Sequence, residues 1–126
     1  MESDAEKIAV ADRWIEAYNA QDNGTMESLL GENLRIRHHN RGVDLQGRQA
    51  MMDVLEQFEG IAPDKKFHSI TRRMVAGDVV ISEMTWEATF TVDVPGFAAE
   101  GETVKLELCG LWEIRDGQIV QYDDYG

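Results

Sequence analysis

The sequence predicts an α+β domain in which a strongly curved antiparallel sheet wraps around three helices from the N-terminal half. Three observations predict it. Apolar residues recur at helical spacing in two long stretches before Pro63, and the chain after Pro63 is nearly all strand. The strands are joined by tight turns with no crossover helices between them. Helices followed by hairpin-linked strands is α+β order, unlike the alternation that builds a parallel sheet. The chain of 126 residues fits a single domain spanning 1–126, and no repeat, low-complexity tract or linker divides it.

Residues 4–20 read as the first helix, with Ile8, Ala11, Ile15 and Tyr18 at three- and four-residue steps and Trp14 widening the stripe. Ser3 or Asp4 caps its start. Asn23-Gly24 signals a turn, and Thr25 caps a short helix through Leu30. Residues 33–39 alternate as a strand, with Leu34, Ile36 and His38 on one face and Arg35, Arg37 and His39 on the other. Residues 47–58 form a second long helix through Met51, Val54, Leu55 and Phe58, ended by Gly60 and Pro63. Strands follow at 67–75, 79–94, 103–114 and 119–125, with Ala76-Gly77-Asp78, Pro95-Gly96 and the hairpin Arg115-Asp116-Gly117 as breaks.

Period 2 sorts the strand residues into faces. The more apolar phase, facing the helices, holds Val80, Ser82, Met84, Trp86, Ala88 and Phe90, then Val104, Leu106, Leu108, Gly110, Trp112 and Ile114, then Val120, Tyr122 and Asp124. Trp14 and Tyr18 point the same way, so Trp14, Tyr18, Met84, Trp86, Trp112 and Tyr122 are expected to line a pocket for a small apolar molecule. Two ionisable groups share the inward phase, His38 and Asp124. A buried carboxylate needs a partner or a raised pKa. An imidazole supplies such a partner, so the two residues are the candidate acid/base pair. On the outward phase Ile81, Cys109 and Leu111 form an apolar patch of the kind that marks an interface, and a homodimer is expected.

Acidic side chains outnumber basic ones 24 to 12, for a net charge of −12. That field, without any Lys/Arg stripe, argues against nucleic acid as a partner. The single Cys109 rules out an internal disulfide and a cysteine zinc site. The first residues, MESDAEKIAV, lack the basic and apolar parts of a secretory signal, and no stretch approaches a membrane span. A cytoplasmic location is expected. His38-His39-Asn40 places two imidazoles side by side, but neighbouring strand residues face apart, so no metal is expected. No phosphate loop or dinucleotide fingerprint occurs, and no cofactor is expected. Arg35, Arg37, Arg41 and His39 form a local basic patch, read either as surface ion pairs or as a rim anchor for a substrate carboxylate.

Several stretches carry a resemblance. Residues 14–22, WIEAYNAQD, look like the first-helix exit of ketosteroid isomerases. Gln46-Gly47-Arg48-Gln49-Ala50 resembles the start of their third helix. Residues 112–119, WEIRDGQI, resemble the hairpin that closes their sheet, and Tyr122-Asp123-Asp124-Tyr125 is similar to the last strand of limonene-epoxide-hydrolase-like proteins. The chain thus resembles the nuclear transport factor 2-like superfamily, and SnoaL-like domains within it, which implies the cone-shaped, cystatin-like roll. Against ketosteroid isomerases, position 38 matches the general-base carboxylate, while Trp14 and Gly110 stand where the oxyanion hole is built. Against epoxide hydrolases, Asp124 matches one catalytic Asp, while Met84 and Trp86 replace the Arg and the other Asp. Against scytalone dehydratases, His68 matches one histidine and Met84 replaces the other. SnoaL-type polyketide cyclases ask only for an acid/base carboxylate in a shaped pocket.

Two function classes remain open from the residues. One is a cofactor-free enzyme whose Asp124 and His38 move protons on a small apolar oxygenated molecule, by isomerisation, cyclisation, dehydration or hydration. The other is a non-catalytic binding domain with an aromatic cavity.

Overall fold

A computed structural model describes residues 2–126. The chain runs α1 (Asp4–Ala20), α2 (Asn23–Leu29), β1 (Leu30–His38), a single 3-10 turn (His39–Arg41), β2 (Val43–Gln46), α3 (Arg48–Ile61), β3 (Lys66–Ala76), β4 (Val79–Thr89), β5 (Thr103–Arg115) and β6 (Gln118–Tyr125).

Helix α1 starts at Ser3, whose hydroxyl accepts from the Glu6 amide while Glu6 reaches back to the Ser3 amide. This reciprocal cap satisfies two amides that the first turn leaves without helical partners. The predicted stripe is buried at Ala11, Trp14, Ile15 and Tyr18 and half-buried at Ile8, and Val10 and Ala17 join it. The cap of α2 is Asp22, not Thr25. The Asp22 carboxylate accepts from the Thr25 amide at 3.1 Å, which places Thr25 inside the helix. Helix α3 runs on to Ile61 because Gly60 is tolerated in its exposed last turn.

Six strands make one sheet in the order β2-β1-β6-β5-β4-β3. The sheet is antiparallel as expected except at one place, where β1 lies parallel to β6. No hairpin joins these two strands, so nothing in the connectivity forces them to run in opposite directions. Strand β2 was not anticipated; it is a four-residue edge strand with one partner, too short to show a period. Strand β4 stops at Thr89 rather than at Val94. Beyond it the chain doubles back through a Val94–Ala98 bridge, with the Phe90 amide donating to the Glu102 carbonyl at 2.9 Å.

Along β4 the inward phase Val80, Ser82, Met84, Trp86 and Ala88 is buried as the alternation predicts. On β6 the prediction slips by one residue. Glu113 pairs with Gln121 but Ile114 pairs with Ile119, so Val120 is an extra, bulged residue. Ile119 therefore takes the inward place expected of Val120 and is 1% exposed, while Tyr122 and Asp124 keep their phase.

Candidate active site

The concave face of the sheet, α1, α3 and the loop at Val94–Phe97 enclose a cavity of about 680 Å³, within the size range of small-molecule sites. Trp14 and Tyr18 from α1, Trp86 from β4, Trp112 from β5 and Tyr122 from β6 line it, as do His38 and Asp124. Val54 and Phe58 of α3 are half-buried because they line it too. Met84 does not line it. Its side chain is buried in the core, and its methyl fills the space left by the missing side chain of Gly110. Tyr18 and Trp86 are locked together, the indole N–H donating to the Tyr18 hydroxyl at 2.9 Å.

His38 and Asp124 are register partners across the parallel β1–β6 pair, so both turn inward side by side. They do not bond to each other. Asp124 Oδ2 accepts from the Tyr122 hydroxyl at 3.0 Å and lies 3.5 Å from the Arg41 guanidinium. Arg41 also donates to His38 Nδ1, so the arginine stands between the imidazole and the carboxylate. The expected imidazole–carboxylate pair is thus replaced by an Arg41-bridged cluster. Asp124 is 3% exposed, and its Oδ1 is buried without a hydrogen-bond partner among the described residues. Burial pushes its carboxyl above the usual range, and the opposing pull of Arg41 and the Tyr122 hydroxyl does not cancel that. Burial, with Arg41 and His39 beside it, lowers His38 to about 4. At neutral pH the imidazole is therefore neutral. With Nδ1 accepting from Arg41, its proton sits on Nε2.

His39 goes the other way. Its Nε2–H donates to Asp123 at 2.7 Å on the convex side, and its ring stacks on Tyr125 at 4.1 Å. The basic patch resolves into ion pairs: Arg35 with Asp44, Arg37 with Asp123, and Arg41 with Asp124.

Residues 11–122 match the SnoaL-like domain family. The chain belongs to that family. No curated protein matches the sequence. Among solved structures it is similar to a candidate polyketide cyclase from Xanthomonas campestris pv. campestris, at 22% identity and a TM-score of 0.84 over 97% of this chain and 90% of that one. A limonene-epoxide-hydrolase-like enzyme of Mycobacterium tuberculosis aligns at 22% identity and TM-score 0.76, covering 96% and 82%. A Catenulispora acidiphila protein with a ketosteroid-isomerase-like fold, in complex with trimethylamine, aligns at 17% and 0.75, covering 93% and 84%. These likenesses show the SnoaL-like fold.

Within that fold His68, which the resemblance had matched to a dehydratase histidine, lies on the outer face 3.8 Å from Glu87, because its neighbour Phe67 takes the inward phase. Two charged cavity residues were missed in the sequence. Arg41 was read only as part of a basic patch, and it reaches the cavity because the 3-10 turn after β1 swings it back over the strand end. Lys65 was lost in the polar break after Pro63, although it shares the inward phase of Phe67 two residues on. No helix is long and apolar enough to cross a membrane among the described residues.

Proposed function

We propose that this SnoaL-like chain is a cofactor-free acid/base catalyst acting on a small, largely apolar, oxygenated molecule held in the cavity. One observation carries the reading: a carboxylate, Asp124, is buried against an apolar cavity with a raised pKa and one oxygen without a partner. A carboxylate so placed is a stronger base than one in water, with a pKa moved toward neutral, where one group can both take and return a proton. Asp124 would take a proton from carbon beside a ligand carbonyl, while His38 Nε2–H donates to the oxygen on which charge develops. Return of the proton from Asp124 to another atom completes an isomerisation, or drives ring closure or loss of water. Arg41 and Tyr122 hold Oδ2 and so fix the carboxylate. Two structural neighbours, the candidate polyketide cyclase and the limonene-epoxide-hydrolase-like enzyme, support chemistry of this kind.

The test is a panel of enones, hydroxy-ketones and epoxides, followed by Asp124→Asn on any hit. Turnover is expected to fall by ~10²–10⁴-fold with little change in melting temperature. Full turnover by Asp124→Asn would sink the assignment. A panel that is inert while apolar ligands still bind favours a binding domain, which the aromatic lining also suits.

A further inference from the structure

Lys65 is the one cationic side chain of the cavity that makes no hydrogen bond or ion pair among the described residues. It lies in the turn between α3 and β3, and that turn is pinned from several sides. The Lys65 amide donates to the Ala62 carbonyl at 3.1 Å, and Gln21 donates to the Pro63 carbonyl. Asp64 accepts from the Thr89 amide at 2.8 Å, and the Thr91 amide donates to the Ile61 carbonyl at 2.9 Å. These bonds fix the Lys65 backbone at the edge of the cavity. Lys65 is 2% exposed, lines the cavity, and carries its ammonium 5.0 Å from the centre of the Tyr18 ring. Its ammonium makes no hydrogen bond and no ion pair among the described residues. The contrast with the other cation of the cavity is direct, since Arg41 is already engaged by Asp124 and His38. Glu59, the acidic residue that most influences Lys65, is exposed and takes a hydrogen bond from Asn23 at 2.7 Å instead.

A buried cation without a counter-charge is costly, and the face of one aromatic ring offsets only part of that cost. A ligand that brings a negative charge to this point removes the rest. We infer that Lys65 anchors an anionic group of the cavity ligand, so that the ligand is a small apolar acid rather than a neutral hydrocarbon or ether. The anion, a carboxylate or an acidic enol or phenol, accepts from the ammonium, and its apolar body lies among Tyr18, Phe67 and Phe58. Burial lowers the lysine pKa, which agrees with a group that has no permanent partner. The inference concerns what binds and stands on the cavity alone, so it survives or fails separately from catalysis at Asp124.

The experiment uses naphthalene-2-acetate and its uncharged isostere naphthalene-2-acetamide, titrated calorimetrically against the full chain at fixed salt. The acid is expected to bind more tightly than the amide. In Lys65→Met the dissociation constant of the acid should rise about ten- to a hundredfold, the scale of a hydrogen bond to a charged group, while that of the amide stays within twofold. Lys65→Arg keeps the charge and should keep the preference, and it serves as the variant of record if Lys65→Met melts early. Equal affinity of acid and amide in the parent protein would overturn the inference, as would a preference for the acid that persists in Lys65→Met and so belongs to Arg41. Failure of both probes to bind would overturn it as well. Loss of turnover in Asp124→Asn has no bearing on any of these readings.

Discussion

Asp123 and Asp124 follow one another on β6, so the pleat sends their carboxylates to opposite faces. Burial would raise Asp123, but hydrogen bonds from Gln121, His39 and Arg37 outweigh it and hold the group below the usual range. Asp123 therefore contributes stability above its unfolded value, 3.8, which is lost as pH falls through the native value. Asp124 has the opposite sign, because burial wins and charging it opposes folding. His38 adds a second acid-side term. Its native pKa, about 4, lies below the unfolded 6.5, so between those values the unfolded chain binds a proton that the native one refuses. Stability should fall by roughly 2–3 kcal/mol as pH drops through that window. Denaturant melts of His38→Gln and the parent from pH 7 to pH 4 check this. The variant should have the flatter acid limb, and identical limbs would place the imidazole in contact with water.

At the scale of elements, Gly110 shows how a strand makes room for the site. It pairs with Asp124 across β5 and β6. A Cβ built on it would stand 3.1 Å from the Tyr122 hydroxyl and equally close to the Met84 methyl. Glycine here is a requirement of close approach, not of backbone angle. Gly110→Ala should cost ~1–3 kcal/mol as overpacking and push the Tyr122 hydroxyl off Asp124. Thermal melting would show a drop of several degrees for a domain of this size. An unchanged melting temperature would mean that Met84 and Tyr122 can step aside. The bulge at Val120 works at the same scale: without the extra residue either Ile119 or Tyr122 and Asp124 would face solvent.

Across the whole molecule, the charge excess of 12 acidic groups is spread over a surface where many arginines are already paired. The convex face keeps an apolar seam. Met74 pairs with Ile81 and Ile81 with Leu111 across three strands, and Met74 is 48% exposed. A second copy covering that seam is expected, and light scattering at micromolar concentration should return the mass of a dimer; a monomer mass would count against it.

Helix spans, the inward set of β4 and the aromatic lining of the cavity were legible in the sequence, because burial on a regular element repeats at that element's own period. Trp14, Tyr18, Trp86, Trp112, Tyr122, His38 and Asp124 all follow from such counting. The rest depended on contacts between distant segments, which no period records. The parallel pairing of β1 with β6 brings His38 beside Asp124. The 3-10 turn delivers Arg41 between them, and the pinned turn after α3 turns Lys65 inward. Met84, inward by period, was excluded from the cavity by neighbouring packing. The sequence by itself determined which residues face inward wherever an element keeps its period, as on α1 and β4, but not at the bulge of β6. Only the tertiary structure decided which of those inward groups meet, because partnership depends on strand order and turn geometry rather than on phase.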